Sequence, residues 1–89
     1  MELSDEMLIE MSYVQISKYR EKVVKALDGE TKIPTQIARD SGIRRNHISK
    51  VLRELKEHEL VECINPEARK GRLYRLTDKG DELVKNLEE

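Results

Sequence analysis

PTQIARDSGIRRNHISKVLRELK, residues Pro34 to Lys56, is the stretch whose reading decides the fold. Pro34 suits the first position of a helix, where its missing N–H has no bond to lose. Ile37 and Ala38 then share one face, and Gly42 offers the left-handed backbone that commonly ends a helix. From Arg44 onward, Ile48, Val51, Leu52 and Leu55 recur at i, i+3, i+4 and i+7, the stripe of an amphipathic helix. The segment reads as a short helix, a tight glycine turn and a longer helix.

The other face of the longer helix is informative. At about 100° per residue, Asn46, Ser49, Lys50 and Arg53 lie opposite the apolar stripe, with Arg45 and His47 at its flanks. Arg44 to Arg53 contains no acidic residue. This is the helix-turn-helix arrangement, and a helix of this kind fits the major groove of B-DNA. Arg and Lys suit guanine edges there, and Asn suits adenine. The plainer alternative is an ordinary solvated helix; the turn chemistry and helix lengths favour the first reading.

Composition sets the outer limits. Eighty-nine residues make one domain with a small core, and with no Trp or Phe the packing falls to aliphatic side chains. Charged residues are 39% of the chain, yet the net charge is −1, so the global balance does not itself point to nucleic acid. The distribution does. Acids gather in residues 1–10 and 78–89, and bases in 44–56 and 69–75, which makes the molecule bipolar. The single cysteine, Cys63, allows no intrachain disulfide and suits a reducing compartment. No apolar run approaches a membrane span and the N-terminus is acidic, so a cytoplasmic protein is expected.

Outward from the centre, Ser4 is an N-cap for a short helix with Met7, Leu8 and Met11 as its apolar stripe. That segment is either a flap over the core or a dimer contact. Ser12 to Ile16 reads as extended or irregular. Ser17 caps a second helix running to about Leu27, with Tyr19, Val23, Val24 and Leu27 inward, and Asp28 and Gly29 ending it. A single β-bridge is plausible at Thr31–Ile33. Glu57 to Glu59 close the central helix, where His58, if protonated, would favour the helix dipole.

Leu60–Ile64 and Leu73–Thr77 then read as two short strands joined by NPEARKGR. In this hairpin Arg69, Lys70, Arg72 and Arg75 face only Glu67. A basic hairpin after a helix-turn-helix is a wing; the alternative is an ordinary solvated tip. Thr77 caps a last helix with Leu83, Val84 and Leu87 as its stripe, packed on its own domain or forming a dimer interface.

This order of elements resembles the winged helix-turn-helix regulators. IPTQIARDSGIRRNHISKVLRELKEHELVE followed by GRLYRLTDKGDELV looks like the MarR- and ArsR-like members, small archaeal ones in particular, over roughly residues 17–88. The implied fold is mainly α with a small β-hairpin (α+β): a three-helix core plus wing and terminal helices. The implied organisation is an N-terminal extension over 1–16, the winged helix-turn-helix over 17–76 and a C-terminal helix over 77–89. The resemblance further implies that the recognition helix is 44–57, with Arg45, Asn46, Ser49, Lys50 and Arg53 towards the groove. It also implies that Thr35 and Gln36 meet a phosphate at a helix start, and that Arg69, Lys70 and Arg72 of wing 65–72 reach the flanking backbone. Arg44, beside His47 in the candidate DNA-binding set, stands where the family often has a capping Ser or Thr, and it cannot accept a hydrogen bond.

Other chemistries find little support. His47 and His58 lie about 16 Å apart along a helix and cannot share an ion within one chain. Cys63 on a strand reads as a small hydrophobe rather than a redox switch. No nucleophile–base pairing or phosphate-cradling glycine loop occurs, so no enzyme activity, cofactor or metal is expected. The expected function is sequence-specific binding of double-stranded DNA by a homodimeric transcriptional regulator. The alternative from another class is a winged-helix module docking an acidic protein partner. Double-stranded RNA is disfavoured, since a helix cannot read its narrow major groove.

Overall fold

Each helix begins where the local chemistry allows it. In the computed structural model, which describes residues 4–87, α1 spans Asp5–Gln15, α2 Lys18–Ala26, α3 Pro34–Ser41 and α4 Arg45–Glu57. The hairpin strands are β1, Val61–Cys63, and β2, Tyr74–Leu76, and α5 covers Asp78–Leu87. Ser4 and Ser17 accept from the N–H groups of Met7 and Arg20 and so cap α1 and α2. Gly42 ends α3 at φ 74°, in the left-handed region. Arg44, at the N-cap of α4, makes no side-chain cap bond, as its chemistry requires. This architecture, mainly helical with one small hairpin, is the expected winged helix.

Three expectations are corrected. Ser12 to Ile16 is not extended: α1 continues to Gln15, because Val14 is fully buried and Tyr13 packs against the core. The buried line of α1 is Met7, Glu10 and Val14, with Met11 half-buried, whereas Leu8 is 49% exposed. Tyr19 does not face inward with Val23, Val24 and Leu27. It is 42% exposed and its ring lies against His47.

The hairpin pairs antiparallel with Val61 opposite Leu76, Glu62 opposite Arg75 and Cys63 opposite Tyr74. The strands are shorter than expected, although the flanking bonds Ile64 N–H to Leu73 C=O (2.9 Å) and Thr77 N–H to Leu60 C=O (3.0 Å) continue the pairing. Lys32 bridges Tyr74 from the far edge, as the Thr31–Ile33 reading allows. Thr77 caps α5 by accepting from Gly80 N–H, and Gly80 lies so close to Leu60 that there is no room for a side chain.

One core joins all the helices to the hairpin. Ile37, Ile48, Leu55, Leu60, Leu83 and Val23 are among its fully buried members, and a buried aliphatic side chain of this kind contributes about 1.5–3 kcal/mol. A polar network fastens α1 to it. Glu10, buried, accepts from Lys79 Nζ at 2.7 Å and meets His58 Nδ1 at 2.7 Å. The His58 ring stacks on Tyr13 with centroids 3.6 Å apart, and the Arg20 guanidinium covers Tyr13 at 3.9 Å. Burial pushes the Glu10 carboxyl up, but the hydrogen bonds and charge of Lys79 and His58 outweigh it and hold the pKa below the ordinary carboxylate value. None of these described helices is long and apolar enough to cross a membrane.

Candidate nucleic-acid interface

The candidate surface follows from how α4 is seated. Ile48, Val51, Leu52 and Leu55 are buried, so the remaining arc must point outwards. Arg44, Arg45, Asn46, His47, Ser49, Lys50 and Arg53 are all exposed. Viewed at about 100° per residue, this arc has two flanks. Arg45 and Ser49 turn towards the wing, His47 and Lys50 turn towards α2, and Asn46 and Arg53 lie between.

The wing is shaped by a side chain that sequence reasoning passed over. Asn65 Oδ1 accepts from Leu73 N–H at 2.7 Å, and its Nδ2 donates to Gly71 C=O at 3.2 Å, closing the loop across its base. Gly71 adopts φ 68°, and Arg72 Nε donates to Ala68 C=O at 2.7 Å. Arg69 and Lys70 are left exposed at the tip. Cys63, half-buried on β1, donates its thiol towards Asn65 Oδ1 at 3.6 Å.

Thr35, Arg45, Ser49, Arg69, Lys70 and Arg72 all border one open groove of about 550 Å³ between the start of α3, α4 and the wing. The groove runs on past Arg53 and Lys56 beside Tyr74. Gln36 is not brought to it. Its Oε1 accepts from Ile33 N–H at 3.1 Å, capping its own helix, and its side chain borders a different surface beside Arg39 and Asp40.

Most of the cations outside this surface are paired, and those on it are not. Arg20, Lys25, Lys32, Arg39, Arg75 and Lys79 each have a carboxylate within 4 Å. Arg75 is thereby corrected: it is tied to Glu62, its cross-strand neighbour, at 2.9 Å and adds little to the wing's free charge. Lys32, half-buried, is pulled down by burial but raised overall by Asp40 and Glu30. Of the cations with no such partner among the described residues, Arg44, Arg45, Lys50, Arg53, Lys56, Arg69, Lys70 and Arg72 belong to α4 and the wing, and the others are Lys18 and Lys22 of α2 and Lys85 of α5. Unpaired cations concentrated on one face raise the local potential and attract anions. No group of three or more His, Cys, Asp or Glu is placed to hold a metal ion among the described residues.

A capped helix ending in a left-handed glycine, a basic second helix and a closed basic hairpin define a winged helix-turn-helix. The chain belongs to that family, whose profile, described as winged helix-turn-helix, matches residues 21–89. Its fold is similar to that of a mutant of Lactococcus lactis ZitR in apo form, with TM-score 0.72 and 21% identity over 91% of this chain and 62% of that one. It is likewise similar to a MarR family transcriptional regulator from Silicibacter pomeroyi DSS-3, with TM-score 0.70 and 17% identity over 94% of this chain and 62% of that one. A further MarR family transcription regulator matches with TM-score 0.69 and 22% identity, over 88% of this chain and 58% of that one. The chain thus spans about three fifths of the length of these structures. No curated protein matches it by sequence.

Proposed function

We propose that the protein is a transcriptional regulator that binds double-stranded DNA sequence-specifically, with recognition helix 44–57 in the major groove and wing 65–72 on the flanking backbone. The observation that carries this reading is the convergence of unpaired cations from α4 and the wing on one groove. Phosphate contacts from Thr35, Arg69, Lys70 and Arg72 set position, while Asn46, Ser49 and Arg53 read base edges. The neighbouring structures called MarR family regulators support the regulatory role. A homodimer reading paired half-sites fits the exposed Leu8 and Ile9 of α1, with segments 1–16 and 77–89 as the contacts flanking the unit 17–76. Action in the cytoplasm suits the free thiol of Cys63.

Paired variants, measured on a selected operator and on mixed-sequence DNA, test the division of labour. Arg53→Ala should weaken operator binding by about tenfold or more and mixed-sequence binding much less, since a good base contact contributes about 1–3 kcal/mol of discrimination. Arg69→Ala should weaken both alike and lower the salt slope by about one. Unchanged sequence preference after single changes at Asn46, Ser49 and Arg53 would show that α4 reads nothing.

A further inference from the structure

A helix lying in the major groove, about 12 Å wide, has a phosphate wall on each side. The wing supplies cations to only one of them. On the other flank of α4, His47, Lys50 and Glu54 border a cleft of about 220 Å³ with Ser17, Tyr19 and Arg20 at the start of α2. We propose that Tyr19, together with His47 and Lys50, grips the DNA backbone on the wall opposite the wing. This inference rests on the DNA reading of the α4 face.

Several observations converge on Tyr19. It is 42% exposed although it sits on a helix whose core stripe, Val23, Val24 and Leu27, is almost completely buried. Its ring is held against His47, centroids 5.4 Å apart and planes tilted by 50°, so the pair forms a single ridge between α2 and α4. Lys50, the next residue along this flank of α4, has no carboxylate partner among the described residues. Glu54 is the one carboxylate bordering the cleft, and Arg20 Nε holds it at 3.4 Å. Arg20 is itself fixed by donating to Tyr13 C=O at 2.9 Å. The acid that would repel a phosphate is thereby offset, and Tyr19, whose O–H makes no hydrogen bond among the described residues, borders the same cleft as Lys50.

The two kinds of contact leave different signatures. Lys50 displaces counterions when it meets a phosphate, and Tyr19 does not, since a neutral hydroxyl carries no charge to exchange. Y19F also leaves the ring on His47 undisturbed, so its melting temperature should match that of the unmodified protein. Binding to a fluorescein-labelled mixed-sequence duplex, followed by anisotropy at several salt concentrations, reads both terms. Y19F should bind about tenfold more weakly, as expected for losing a hydrogen bond to a charged group, with an unchanged salt slope. Lys50→Ala should weaken binding and lower the slope by about one. Y19F binding within twofold of the unmodified protein, while Arg69→Ala weakens it, would overturn the Tyr19 contact and leave the DNA reading intact. No binding by the unmodified protein even at low salt would overturn both.

Discussion

Gly80→Ala should destabilise the protein by about 1–3 kcal/mol, although a helical Gly→Ala change ordinarily stabilises. A methyl at Gly80 would overlap the carbonyl oxygen of Leu60 and stand 3.2 Å from both the Leu60 carbonyl carbon and Leu76 Cβ. The obstacle is backbone, and it is pinned: Leu60 C=O accepts from Thr77 N–H at 3.0 Å. Forcing a methylene-sized group into such packing costs about 1–3 kcal/mol. Displacing the carbonyl also weakens a hydrogen bond contributing about 1 kcal/mol. Against these stands the gain of about 1 kcal/mol in helix propensity, so packing wins. Urea denaturation should show a lower midpoint with an unchanged m-value, and melting should fall by about 4–8 °C per kcal/mol. Because Leu60 leads directly into β1, the variant should also loosen the base of the wing. An alanine variant as stable as the parent would refute the claim that α5 is seated through this contact.

Two further predictions concern the polar devices. Asn65→Ala removes the acceptor of Leu73 N–H and the donor to Gly71 C=O, each contributing about 0.5–1.5 kcal/mol; hydrogen exchange should show Leu73 N–H losing protection, and DNA affinity should fall severalfold. An amide that stays protected would mean the loop holds its shape without Asn65. Glu10, its pKa held down by Lys79 and His58, contributes stability that is fully present above the unfolded carboxylate value of about 4.3 and is lost as pH falls through the lower folded value. The stability gap between the parent and Glu10→Gln should therefore be present above the unfolded carboxylate value and shrink on acidification below about pH 4, read from urea midpoints across that range; a gap that persists unchanged into acid would refute the pairing.

What was legible in the sequence was local. Pro34 at a helix start, Gly42 in the left-handed region and the Ile48–Leu55 stripe each state their conformation within a few residues, and they place the outward arc of α4 by subtraction. The wing's cations were equally plain, but Arg75 was not separable from them until its cross-strand register with Glu62 was known. What stayed hidden was tertiary. Tyr13 and Val14 favour strand by propensity, and helix wins there because Val14 is buried and Tyr13 stacks on His58, 45 positions away in the chain. Tyr19 sits at a helical position compatible with the core, yet its ring lies at the surface against His47 of α4. Glu10, His58 and Lys79 are ordinary charged residues until three helices bring them together, and Gly80 shows its constraint only once Leu60 is beside it.

The most direct test of the central claim is the affinity of the unmodified protein for a mixed-sequence duplex as salt is raised. Micromolar or tighter binding, with log K falling steeply and linearly against log salt, is the outcome expected if the unpaired cations of α4 and the wing displace counterions from phosphates. Absence of binding at low salt would contradict it and turn the same basic face towards an acidic protein partner.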